Sequence, residues 1–208
     1  MSVPVVGSTA GDWQGANCGT CGSSAANVWV YAVNRNPFTG AIVNRSDVRF
    51  NGASFTDTTP TGDVLLGRVL LNNGAILDPN TIHSNTLDVN FTFTTPSSLI
   101  TFSFPVQVDT YFPTIGQDTL LNLAPVAGLS QTFTVLGVNY HVDLDGFFAT
   151  NPGAGGPISQ LSSIIGSTVG ANLYGRFSAT PEPSSMILLG AVAAAAAYAA
   201  RRRQQAIQ

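Results

Sequence analysis

Leu87-Asp88-Val89-Asn90-Phe91-Thr92-Phe93-Thr94 places an apolar residue at every odd position. After Thr95-Pro96-Ser97-Ser98 the alternation resumes on even positions, at Ile100, Phe102, Phe104, Val106 and Val108. Strand side chains point alternately to opposite faces, so a period of two marks a half-buried strand. The two segments read as an antiparallel hairpin with one wall in a core. Pro105 falls on the polar face; it has no N–H to give to a ladder, which predicts a sheet edge or a bulge there.

Working outward, Asn27-Val28-Trp29-Val30-Tyr31-Ala32-Val33 is rich in aromatic and β-branched residues and reads as another strand. Shorter strands are expected at 48–50 and 54–56, and a more apolar, central one at 63–71. Residues 131–136 and 138–144 flank Gly137 as a second hairpin, and 172–178 closes the domain. Residues 151–157 form a glycine-rich loop, and 161–169 is the one stretch ahead of the C-terminal tail with a helical reading. Many short strands separated by turn signals predict an all-β fold, an antiparallel β-sandwich of jelly-roll type, followed by a single C-terminal transmembrane helix.

The 208 residues are enough to bury a core of ordinary domain size. Charged residues make up 9% of the chain, against roughly 25% in typical soluble domains, and there is no lysine. Ahead of residue 180, five arginines face ten aspartates, a formal −5. That balance leaves no overall basic footprint for nucleic acid or anionic lipid. Solubility then rests on serine, threonine and asparagine.

Cys18 and Cys21 stand in Asn17-Cys18-Gly19-Thr20-Cys21-Gly22. A C-x-x-C can be a redox pair or half of a zinc site, but zinc takes four ligands and no second pair supplies them. No βαβ pattern surrounds it. In an oxidising compartment the plainer reading is a small disulfide pinning a glycine-rich loop. Residues 1–10 carry no basic and apolar secretion signal. Either export uses another route or the start lies further upstream; the second is the expectation, because Met1-Ser2-Val3-Pro4-Val5-Val6 reads like sequence just after a cleavage site.

The tail is different in kind. Pro181-Glu182-Pro183-Ser184-Ser185 precedes 15 uncharged residues, 186–200, and then Arg201-Arg202-Arg203. As a helix the uncharged run is about 22 Å long, short for a bilayer core of about 30 Å. It spans only if the serines are drawn in and the arginine stems snorkel. Most of it is alanine, so insertion is weak. Arginines directly after it make a cytoplasmic stop and place residues 1–180 on the other side. Pro181 and Pro183 disfavour helix before them, so the Pro-Glu-Pro stretch is extended and open to a protease. Glu182 is the only glutamate.

This order of Pro-Glu-Pro, short apolar helix and basic cluster over residues 180–203 resembles the PEP-CTERM sorting signal of bacterial exported proteins. The resemblance implies cleavage near the motif by an exosortase, a membrane-embedded enzyme of bacteria that make extracellular polysaccharide. A second resemblance, to the choice-of-anchor K (THxN) domain, rests on Leu66-Gly67-Arg68-Val69-Leu70-Leu71-Asn72-Asn73-Gly74-Ala75-Ile76. Gly11-Asp12-Trp13, Val142-Asp143-Leu144-Asp145-Gly146-Phe147 and Asn172-Leu173-Tyr174-Gly175-Arg176-Phe177 add to it. Leu70 and Leu71 stand where that family has its threonine and histidine, so no histidine role carries over. The organisation read this way is an N-terminal segment at 1–10 with its signal peptide missing, an ectodomain at 11–179, and the sorting signal at 180–208.

No G-x-S-x-G, H-E-x-x-H or P-loop spacing occurs. The best polar constellation is Asn139, His141, Asp143 and Asp145, which share the odd, outward face of one strand, within reach of a cation or a sugar hydroxyl. A solvated sheet face is the alternative reading. Two aspartates adjacent on one strand do not flank a substrate as glycosidase carboxylates do. His83, among asparagine, threonine and serine, reads as a surface loop residue. The expected function is therefore an exported, non-enzymatic surface or extracellular-matrix protein without a cofactor. Its partners are an exosortase, the inner membrane before processing, and exopolysaccharide. A carbohydrate-binding module using Trp13, Trp29, Tyr111 and Tyr174 is the alternative, and a hydrolase using Asp143 or Asp145 is third.

Overall fold

The computed structural model describes residues 5–15, 25–57, 62–74, 82–94, 97–111, 118–135 and 138–179. Its strands are β1 (Val5–Trp13), β2 (Val28–Arg35), β3 (Ile42–Gly52), β4 (Ser54–Asp57), β5 (Val64–Asn73), β6 (Ile82–Thr94), β7 (Ser97–Tyr111), β8 (Asp118–Leu123), β9 (Ser130–Val135), β10 (Val138–Phe148), β11 (Gln160–Ile164) and β12 (Ser167–Ala179). One 3-10 turn, Pro152–Ala154, lies between β10 and β11. The strands form two curled antiparallel sheets of six, ordered β11-β8-β7-β6-β1-β4 and β2-β3-β5-β12-β10-β9. This is a β-sandwich. Among the described residues no helix is long and apolar enough to cross a membrane, and the helix expected at 186–200 lies outside them.

The hairpin that decides the fold is β6–β7, in register from Ile82↔Asp109 to Thr94↔Ser97. Leu87, Val89, Phe91 and Phe93 on one strand and Phe102, Phe104, Val106 and Val108 on the other are all buried. Pro105 stands opposite Thr86. β8 joins the other side of β7 only from Val106 onward, so β7 is a sheet edge at the proline. The missing N–H therefore costs no ladder bond there.

β1 carries the sheet ahead of Gly11 and has an inward face of Val5, Gly7, Thr9, Gly11 and Trp13. Its small residues are shaped by the opposite sheet: a methyl group at Gly11 would stand 2.6 Å from Phe50 Cβ. Thr9 ties the two sheets together, accepting from the Ala53 amide at 3.0 Å and donating to the Leu66 carbonyl.

The helical reading of 161–169 is corrected. Those residues form β11, a turn and the start of β12. Leu161 and Ser163 point inward, and a buried serine hides the alternation. The chain also changes sheets at this turn, β11 pairing with β8 and β12 with β5. Asn73 fixes the corner, its Nδ2 donating to the Ser163 carbonyl at 2.7 Å and its carbonyl accepting from the Gly166 amide at 2.7 Å.

Candidate functional site

Tyr140, Val142 and Leu144 of β10 are buried, which turns Asn139, His141 and Asp143 outward. Asp145 keeps the outward alternation but has no register partner on β12, because a bulge falls between Leu144 and Gly146. Gly146 takes φ +128°, a backbone region that side chains rarely allow, as a bulge of this kind requires. The four residues share one region of the sheet, but not one regular ladder.

Three of the four side chains, those of Asn139, His141 and Asp145, are engaged by a neighbour. Thr134 Oγ1 donates to Asn139 Oδ1 at 2.7 Å, and Thr132 Oγ1 lies 3.0 Å from His141 Nδ1. Asp143 pairs in register with Arg176 on β12. The Arg176 Nε reaches Asp63 Oδ1 at 2.7 Å and Asp145 Oδ1 at 3.4 Å. Asp63 and Arg176 come from distant parts of the sequence, and only the sheet order brings them to the aspartates. Hydrogen bonding to Asp63, then the charge of Asp145, push the Arg176 guanidinium above its ordinary value. Among the described residues no group of three or more His, Cys, Asp or Glu is arranged to hold a metal ion. A guanidinium between the carboxylates of Asp63 and Asp145 neutralises part of their charge and gives no nucleophile–base pair.

Burial raises the Asp145 carboxyl above its ordinary value. Arg176 opposes that shift, while Asp63 and Asp143 add to it. Its Oδ2 is buried with no hydrogen-bond partner among the described residues. A raised folded-state value means that the folded protein holds the proton more tightly. The stability is then full below the unfolded value of 3.8 and is lost as pH rises through the folded value. Asp145→Asn is expected to flatten that decline in urea midpoints measured from about pH 4 to pH 7. An unchanged slope would refute the assignment.

Of the aromatic residues read as a sugar platform, Trp13 and Trp29 face the interior, while Tyr174 is half-buried on the outward side of β12. Trp13 and Trp29 are buried against each other at 5.5 Å, and Trp29 meets Tyr31 at 6.0 Å. Burial pushes the Tyr31 phenol up to about 12. Tyr174 packs edge-on to Phe148 at 5.9 Å. Tyr111 ends β7, and its ring lies outside the described part. His83 is corrected from loop to strand: it lies in β6, pairs with Val108 of β7, and is half-buried 5.7 Å from the Tyr31 ring. A second charged arrangement, missed in the sequence, is built on Asp47 of β3. Its carboxylate is buried and accepts from Arg45 Nε at 3.0 Å, from Arg49 Nε at 2.5 Å and Nη2 at 3.2 Å, and from Asn72 Nδ2 at 3.3 Å.

Pro181, Glu182, Pro183, Arg201, Arg202 and Arg203 lie outside the described residues, as do Cys18 and Cys21. Residues 179–203 match the model of the PEP-CTERM protein-sorting motif. No curated protein matches the chain. The motif implies an exported, cell-surface-directed protein with an exosortase as its processing partner.

Proposed function

We propose, taking that motif as the premise, that the chain is a non-enzymatic surface or extracellular-matrix protein. In this reading residues 186–200 hold it in the inner membrane until an exosortase cuts near Pro181-Glu182-Pro183. The β domain is then delivered to the cell surface or the extracellular exopolysaccharide. The observation that carries this is the sorting-motif match at residues 179–203. A marginal, alanine-rich span suits a temporary anchor better than a permanent one. The finer fold reading is a jelly-roll sandwich of the choice-of-anchor K type. The non-enzymatic reading is supported by the β10 face, where the side chains of Asn139, His141 and Asp145 are taken up by cross-strand neighbours.

The test is deletion of 181–208 in the native cell, with fractionation and mass spectrometry of the mature C-terminus. The expected result is complete loss of surface delivery and, in the intact protein, a new C-terminus near the motif. Normal surface delivery of the truncated chain overturns the proposal.

A further inference from the structure

We infer that the outward face of β3, β5 and β12 carries a binding groove for a carboxylate-bearing sugar residue of an acidic polysaccharide. The register sets three rows of side chains across these strands: Asp47, Asn72 and Thr168; Arg49, Leu70 and Gly170; Asn51, Arg68 and Asn172. Their centre is a cavity of about 170 Å³ lined by Arg49, Leu70, Asn72 and Thr168. Gly170 borders the hollow and lets its neighbours pack down on β12. A methyl group there would stand 2.7 Å from Leu70 Cδ2 and 2.9 Å from Arg68 Nε, so these two side chains lie over the glycine.

The chemistry of the lining selects the ligand. Asp47 holds Arg49 through Nε and one Nη, which leaves the remaining N–H edge of the guanidinium facing out with its direction fixed. Arg68 is exposed and makes no ion pair among the described residues. Asn72 and Thr168 are joined at 3.3 Å and add an amide and a hydroxyl at the rim. Leu70 supplies an apolar floor for the C–H face of a ring. Two guanidiniums, two neutral polar groups and an aliphatic floor fit an acidic sugar better than a phosphate-rich polymer. The hollow is smaller than the roughly 300–1,000 Å³ of drug-sized pockets, which matches one ring of a chain lying across the sheet. Arg45, Arg49 and Arg68 also make this face locally basic in a domain of net −5, so a polyanion is steered to it. Among the described residues no aromatic ring lines the hollow, so charge rather than stacking gives its selectivity.

The site goes beyond the sorting role, and its test is independent of sorting. The purified full chain in neutral detergent is titrated with polygalacturonate, with dextran as the uncharged control and phosphatidylglycerol vesicles as a second polyanion. The expected result is binding to polygalacturonate alone, weakened by salt. Arg68→Gln and Thr168→Ala should each weaken it, the arginine change by about tenfold, because hydrogen bonds to charged groups are the strong class. Arg35→Gln removes the same charge at the β2–β3 turn and should leave binding intact. All variants are first matched to the parent in their urea midpoints. Absence of polygalacturonate binding, equal binding to dextran or vesicles, or equal losses in Arg68→Gln and Arg35→Gln overturns the assignment.

Discussion

Phe177→Ala is expected to destabilise the protein by about 3–5 kcal/mol, the range for truncating a fully buried phenylalanine. Phe177 sits on β12 with no exposed surface. It stacks on Phe55 of β4 at 4.9 Å and meets the edges of Phe93 on β6 at 6.2 Å and of Phe133 on β9 at 6.1 Å. β4 and β6 belong to one sheet, β9 and β12 to the other, so a single ring bridges the sandwich. Phe93 and Phe133 stack on each other at 4.1 Å, which leaves little freedom to collapse into the space the missing ring would leave. A domain of this size loses roughly 2–4 °C of midpoint per kcal/mol, so the thermal shift should be roughly 6–20 °C. Phe38→Ala, at a residue 94% exposed, is the control and should change stability by less than about 0.5 kcal/mol. A loss below about 1 kcal/mol for Phe177→Ala would mean that the ring does not bridge the sheets.

What the sequence revealed follows from which residues face inward. β6, β7 and β10 announce themselves because their inward residues are large and apolar, and the period of two stands out. β1 turns Gly7, Thr9 and Gly11 inward, so its pattern has no hydrophobic amplitude although the positions are buried. β11 buries Ser163 and β8 buries Thr119, and neither looks like a core residue in a linear reading. β3 is legible only at Val48–Phe50, because the carboxylate of Asp47 is buried on the outward face beneath two arginines. The candidate site was half legible. The run from Asn139 to Asp145 shows in the sequence because it lies on one strand. Asp63 and Arg176 reach it only through strand order, and the bulge at Asp145 is set by the three-dimensional demand on Gly146. Trp13 and Trp29 misled for the converse reason, since a tryptophan in a strand gives no sign of which face it takes.

Replacing both Arg45 and Arg49 with glutamine is expected to cost about 3 kcal/mol, and adding Asp47→Asn to that pair should restore most of it. Stranding a buried charge costs about 3–5 kcal/mol. The lower end applies because the shorter glutamines let some water reach the carboxylate. The pair is asymmetric: Asp47 is 0% exposed, while Arg45 and Arg49 are 42% and 39% exposed. Asp47→Asn alone leaves two guanidiniums that can turn to solvent, at a cost of about 1 kcal/mol. In the triple variant no buried charge remains, and Asn72 still holds the strand through the Arg45 carbonyl at 3.2 Å. The energies are therefore strongly non-additive, as expected for groups in one network. Urea unfolding of the single, double and triple variants measures this. A triple variant no more stable than the double would mean that Asp47 is solvated in solution, and that Arg49 is not held in a fixed direction over the groove.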